Sequence, residues 1–169
     1  MFQSGEAVVH PGHGPGKLVD IEKLLCLGKD GPCYKIKLLG NAEMTVWVLV
    51  RDAEQEGVRR PVPRSRLSEI WRLLRAKPGT LPSDHKKRYA YLREKTENGD
   101  ILQIAEALRD LRWKDYHVRS LTSEGKRLYD KGIKLLATEI ALVQGSNLGT
   151  VESQISNVLR ESIDSREAM

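Results

Sequence analysis

From residue 6 to about residue 50, apolar and polar positions alternate in short runs. These are Ala7-Val8-Val9, Lys17-Leu18-Val19-Asp20-Ile21-Glu22, Tyr34-Lys35-Ile36-Lys37-Leu38 and Met44-Thr45-Val46-Trp47-Val48-Leu49-Val50. A period of two in β-branched residues predicts strands, and the breaker clusters Gly12–Gly16, Gly28–Pro32 and Gly40-Asn41 predict the turns between antiparallel neighbours. A fifth short strand near Val58-Arg59 would complete a small SH3-like or Tudor-like barrel in about sixty residues. Pro61 and Pro63 then break the pattern, and a helical period takes over.

Five helices are predicted in the remainder. Leu67, Ile70, Trp71 and Leu74 mark the first, with Ser65 as N-cap and Pro78-Gly79 as its stop; Pro82-Ser83-Asp84 announces the second, which runs through Tyr89, Leu92 and Arg93 to Asn98-Gly99. Ile101, Ile104, Ala105, Leu108 and Leu111 form the stripe of the third. Thr122 or Ser123 caps the fourth, with Leu128, Ile133, Leu135, Leu136, Ile140 and Val143 on its apolar face. After a polar break at Gly145–Gly149, Thr150 opens the fifth, with Val151, Ile155, Val158, Leu159 and Ile163, and a frayed tail is expected from about Asp164. The expected fold is therefore α+β: a small antiparallel β-barrel over residues 1–62, then a domain of about five helices over residues 63–169.

Charge sharpens this division. The net charge of +5 is unevenly spread: residues 1–62 balance at zero, residues 63–140 carry +7 and residues 141–169 carry −2. Basic asymmetry of this kind is the electrostatic footprint of contact with a polyanion. Its densest part is Leu81-Pro82-Ser83-Asp84-His85-Lys86-Lys87-Arg88-Tyr89-Ala90-Tyr91-Leu92-Arg93. Three consecutive cations in a first helical turn oppose the helix dipole, so they do not serve the helix itself. Backbone phosphates are a fitting partner for His85, Lys86, Lys87, Arg88 and Arg93, with Tyr89 or Tyr91 as a flat surface beside sugar or base. Lys126-Arg127, with Arg119 just before them, form a second cluster able to join the first. Three readings stay open for this surface: a nucleic-acid contact, a contact with an acidic protein, or a solvated face whose cations merely meet water while Tyr89 and Leu92 pack inward.

Other chemistry is sparse. His10 and His13 flank a proline-glycine turn without the further ligands a metal site needs. The Gly12–Gly16 loop lacks the ending of a phosphate-binding loop and leads into a strand. Cys26 and Cys33 are the only cysteines. They read as cytosolic thiols and not as zinc ligands, with a bridge between them across the predicted hairpin left open. No catalytic constellation stands out, so the expectation is a non-enzymatic protein without cofactor, metal or small-molecule substrate. No apolar run reaches the length of a membrane span and no signal peptide is evident, so a cytoplasmic location is expected.

Several short pieces occur in an informative order: Gly5-Glu6-Ala7-Val8-Val9-His10-Pro11 with His13-Gly14, Met44-Thr45-Val46, Glu56-Gly57-Val58-Arg59, Lys87-Arg88-Tyr89, Asn98-Gly99-Asp100, Ile104-Ala105-Glu106, Arg109-Asp110-Leu111, Leu121-Thr122 and Lys126-Arg127. Together they resemble the CarD/CdnL family of bacterial RNA polymerase-binding transcription regulators, with this chain a divergent member. The resemblance implies an N-terminal Tudor-like domain that docks on the polymerase β subunit by strand addition, through Lys23, Leu24, Met44, Thr45, Val46 and Trp47. It also implies a helical domain that contacts promoter DNA at the upstream edge of the bubble and modulates open-complex stability, through His85, Lys86, Lys87, Arg88, Tyr89, Arg93, Lys126 and Arg127. Location on the nucleoid through polymerase follows from the same resemblance. The chain departs from the family where many members carry a tryptophan wedge and this one has His85, and where a lysine is replaced by Ala90. On the polymerase-facing strands, Trp47 stands for a common arginine, and Leu24 or Lys23 for another.

Overall fold

A computed structural model describes the chain except for Leu27, Ala42, Arg119 and Ser120, and except for the side chains of Leu24, Leu25, Cys26 and Lys29. The chain is α+β. Four antiparallel strands, β1 (Ala7–His10), β2 (Gly14–Cys26), β3 (Lys29–Leu38) and β4 (Thr45–Leu49), form one sheet in sequence order. Five helices follow: α1 (Leu67–Arg75), α2 (His85–Glu97), α3 (Ile101–Val118), α4 (Ser123–Gln144) and α5 (Leu148–Glu167).

One face of the sheet is apolar because its alternating positions Val8, Leu18, Tyr34, Ile36, Leu38 and Val48 fall on the same side, where Phe2, Ala53 and Val58 close over them. Tyr34 is buried, with its hydroxyl accepting from the Phe2 amide at 3.0 Å and its ring edge-on to Phe2. The β2–β3 hairpin is longer than the alternation predicts. Pairing continues outward to Cys26 opposite Lys29, and Pro32 lies within β3, opposite Lys23. The fifth strand shrinks to one bridge, with Val9 and Arg59 exchanging amide hydrogen bonds of 2.7 and 3.1 Å. Pro61 and Pro63, which lack amide donors, prevent that pairing from extending.

The helices bury their stripes in two clusters. Ile70, Leu74, Ile104, Leu108, Leu136, Ile140, Val151 and Ile155 join α1, α3, α4 and α5, with Trp71 packed against them; Tyr89, Leu92, Leu111 and Leu128 join α2 to α3 and α4. The caps at Asp84, Thr122 and Gly145 lie where the sequence pattern puts them. Two ends differ. No side chain caps α1, which is preceded by a 3-10 turn at Arg64–Arg66, so Ser65 does not have that role. Helix α5 begins at Leu148, because the Asn147 side chain accepts from the amides of Gly149 and Thr150. It continues through Glu167, with Ser162 and Arg166 both donating to the Arg75 carbonyl, so the tail is helical beyond Asp164.

Sheet and helices are joined by a polar cluster. Arg59 forms a two-pronged ion pair with Glu139 of α4, 2.8 and 2.9 Å, and donates to the Gly99 carbonyl at 2.7 and 3.0 Å. The Val62 amide donates to the same carboxylate at 3.0 Å. Glu139 is only 2% exposed, so these donors replace its lost hydration. Pro11 is wedged beside this cluster between Gly57 and Gly99, whose φ angles of +91° and +83° favour glycine. A β-carbon at Gly57 would stand 2.9 Å from the Pro11 ring, and one at Gly99 would stand 3.3 Å from it.

Candidate partner and nucleic-acid interfaces

Among the described residues, strand β4 is paired on one side only, by β3. The Val50 amide donates to the Pro32 carbonyl and the Leu38 amide to that of Met44, which sets the phase of the ladder. By the antiparallel alternation, the amides and carbonyls of Thr45, Trp47 and Leu49 point away from β3, towards the open edge. Alternation also sorts the side chains. Val46 and Val48 face the core, whereas Thr45 and Trp47 lie on the outer face opposite Lys37 and Lys35. Trp47 is 37% exposed, its ring is covered on one side by the Lys35 ammonium at 5.0 Å, and Lys35 is held by Glu22 at 3.1 Å.

Of the six residues expected on this surface, Trp47 and Thr45 therefore share the outer face of the edge strand. Val46 is half-buried and turned towards the core, so it does not share that outer face. Met44 is exposed in the turn before β4, and Lys23 is exposed on the β2–β3 ribbon beyond the end of β4. The side chain of Leu24 lies outside the described residues.

The second surface is assembled by Tyr89. Its hydroxyl accepts from Thr122 Oγ1 at 2.6 Å, and Thr122 Oγ1 in turn accepts from the Gly125 amide at 3.2 Å, which sets the first turns of α2 and α4 side by side. Gly125 permits this approach, since a β-carbon there would lie 2.9 Å from the tyrosine oxygen. The two basic clusters thus fall at one end of the helices. Lys86, Lys87, Lys126 and Arg127 are all exposed there, and none has a carboxylate within ion-pair distance among the described residues. Arg119 lies outside the described residues.

Within the fold, three of the expected contact residues already have partners. Tyr89 is 3% exposed, so its ring is not available to a base; Tyr91 is the exposed tyrosine, one turn from Lys87 on the outer face. Arg88 donates to the carbonyls of Pro82 and Ser83 and stacks on Tyr89, which makes it a clamp on the loop entering α2. Arg93 is paired with Glu124 of α4, so its charge is already compensated. His85 is exposed and set edge-on to Tyr89, with ring centroids 4.6 Å apart. Lys95 was not singled out by the sequence pattern. It lies against Tyr91, and although burial opposes its charge, hydrogen bonds to Glu106 and Tyr91 hold its pKa above the ordinary value.

His13 sits in the turn between β1 and β2, with the His10 ring 4.9 Å away. Burial, then the charges of His10 and Lys131, lower its pKa below the ordinary 6.5. The fold therefore binds this proton less well than the unfolded chain does. Stability is complete above about pH 6.5 and falls as pH drops below it, towards the lowered value. We expect His13→Gln to flatten the fall in Tm between about pH 7 and 5 relative to wild type, as measured by thermal melts; parallel curves would deny His13 this contribution.

Among the described residues no three His, Cys, Asp or Glu side chains are grouped to hold a metal, and no helix is long and apolar enough to cross a membrane. The geometry leaves two separate exposed features, an open sheet edge bearing an aromatic and a cationic helix end. The family model for the CarD C-terminal domain matches residues 69–156, and that for the CarD-like/TRCF RID domain matches residues 2–62. The chain belongs to the CarD family, as a divergent member with a Tudor-like N-terminal sheet. A relative from Bacillus subtilis (strain 168), named "Putative transcription factor YdeB", is 27% identical over 145 residues, which cover 86% of this chain and 94% of that protein. These relationships give the chain a role in transcription in contact with RNA polymerase, and the matching families are regulatory rather than enzymatic.

The sequence pieces that carry the family resemblance now have a structural reason. Pro11, Gly57, Arg59 and Gly99 come from three of them and meet in the joint between sheet and helices. The fifth member of the joint, Glu139, was missed because it sits inside the run Leu136-Ala137-Thr138-Glu139-Ile140-Ala141. A single carboxylate in so apolar a window was the available signal.

Proposed function

We propose that residues 1–62 tether the protein to the RNA polymerase β subunit by adding a strand to β4, with Trp47 as the aromatic anchor. Residues 63–169 then set Lys86, Lys87, Lys126 and Arg127 against promoter DNA near the upstream edge of the bubble. The observation that supports this reading best is the pairing of four uncompensated cations at one helix end with an open strand edge elsewhere on the chain. A strand edge suits a protein partner, and cations without carboxylate partners suit phosphate. Binding that favours melted over closed DNA shifts the equilibrium towards the open complex. His85, smaller and more polar than the tryptophan common in the family, supplies less unstacking and makes the effect modest.

Salt dependence tests the DNA half. Replacing Lys86, Lys87, Lys126 and Arg127 with Ala should weaken duplex binding irrespective of sequence. Each lost phosphate contact should also reduce the slope of log affinity against log salt by about 0.9. By contrast, Arg88→Ala should change that slope little, because its guanidinium is already engaged. An unchanged slope in the fourfold variant would favour the alternative, a basic face that binds an acidic protein.

A further inference from the structure

Away from both faces, α1 and α5 leave two adjoining clefts. One, about 540 Å³, is lined by Trp71, Gln144 and Gln154; the other, about 330 Å³, by Arg75, Ser162, Ser165 and Arg166. They meet at Arg75 and Glu161, and both volumes fall in the range of small-molecule sites. The chemistry of the two is complementary. At one end stands a half-buried indole flanked by side-chain amides, which suits a flat heterocycle with hydrogen-bonding edges. At the other stand Arg75 and Arg166, which donate one N–H each to the carbonyls of Trp71 and Arg75 and keep further donors for a phosphate, together with the Ser165 hydroxyl; the Ser162 hydroxyl is already given to the Arg75 carbonyl.

The arginines are not neutralised. Arg75, Arg166 and Glu161 form no ion pair among the described residues, which leaves two cations against one carboxylate. Arg166 is held in place by its bond to the Arg75 carbonyl, 3.0 Å, while its Nε is out of solvent and without a partner. Trp71 and Arg75 are four residues apart in α1, so they stand on the same face, one turn of about 6 Å apart. That is a separation a ribose can span. From this arrangement we infer that the α1–α5 cleft binds a nucleoside 5′-monophosphate or a close relative, with the base against Trp71 and the phosphate between Arg75 and Arg166. The ligand is bound, not transformed, since no nucleophile and base are paired there. Two cations in a short open groove match a single nucleotide, whereas a nucleic-acid strand would call for a longer basic track.

The full ¹⁵N-labelled chain should be titrated with adenosine 5′-monophosphate, guanosine 5′-monophosphate, adenosine, inorganic phosphate and an octathymidylate. A nucleoside monophosphate is expected to move the Trp71 indole and Arg166 Nε resonances together. Arg75→Gln and Arg166→Gln, checked for folding by circular dichroism, should weaken binding about tenfold or more. Adenosine and phosphate alone should bind more weakly than the intact nucleotide. Gln154→Leu should lower affinity for one base more than for the other. The inference is overturned if neither nucleotide moves these signals, if phosphate alone binds as well, if the octathymidylate binds more tightly, or if the arginine variants retain full affinity.

Discussion

Glu139→Leu is expected to lower the unfolding free energy by about 3 kcal/mol, because it leaves Arg59 and the Val62 amide facing a site that no longer accepts their hydrogen bonds. Removal of one partner from a buried pair has effects of about 3–5 kcal/mol. The lower end applies because Arg59 keeps 29% of its side-chain exposure and its bonds to the Gly99 carbonyl. For a chain of this size Tm should fall by about 10 °C. Chemical denaturation gives the free energy, and limited proteolysis between residues 60 and 66 reports whether the joint opens before the whole chain unfolds. The double variant Arg59→Met with Glu139→Leu should recover much of the loss, since both charges leave together. A single variant as stable as wild type would mean that the pair contributes nothing net to the joint.

Under the proposed tethering, Trp47→Ala is expected to weaken binding to the polymerase β subunit by about thirtyfold, the effect of losing an interface anchor of about 2 kcal/mol. The sheet should be unaffected, because Trp47 projects from the outer face and is not part of the core beneath β4. A backbone test accompanies it. Thr45→Pro removes an amide that points to the open edge and leaves the ladder to β3 intact, so it should impair strand addition without unfolding the sheet. Equal affinity of both variants and wild type would place the polymerase contact elsewhere.

Much of the architecture was legible in local pattern. Period-two alternation located the four strands, apolar stripes located the five helices, and Asp84, Thr122 and Gly145 marked helix ends through chemistry contained within a few residues. The candidate surfaces were less legible, because they are set by contacts between distant positions. Tyr89 meets Thr122 across 33 residues and Arg93 meets Glu124 across 31, so two residues expected to contact nucleic acid are engaged by α4. Arg88 is a different case. Its partners are near in sequence, but they are loop carbonyls, which residue identity does not announce. Strand lengths were underestimated because Gly31 and Pro32 read as a turn, although β3 accommodates both near the outer end of a two-stranded ribbon.

The wedge of Pro11 between Gly57 and Gly99 has a consequence for affinity as distinct from stability. A flexible connection would let the cationic helix end sample a wide volume around a tethered sheet. A joint closed by proline, two glycines and a buried ion pair confines it to a small one. Under the proposed tethering, DNA contact becomes an intramolecular event whose effective concentration is set by geometry, so the four exposed cations need less affinity of their own for DNA than an untethered site would. Loosening the joint would then dilute the DNA contact without altering a single residue that touches DNA.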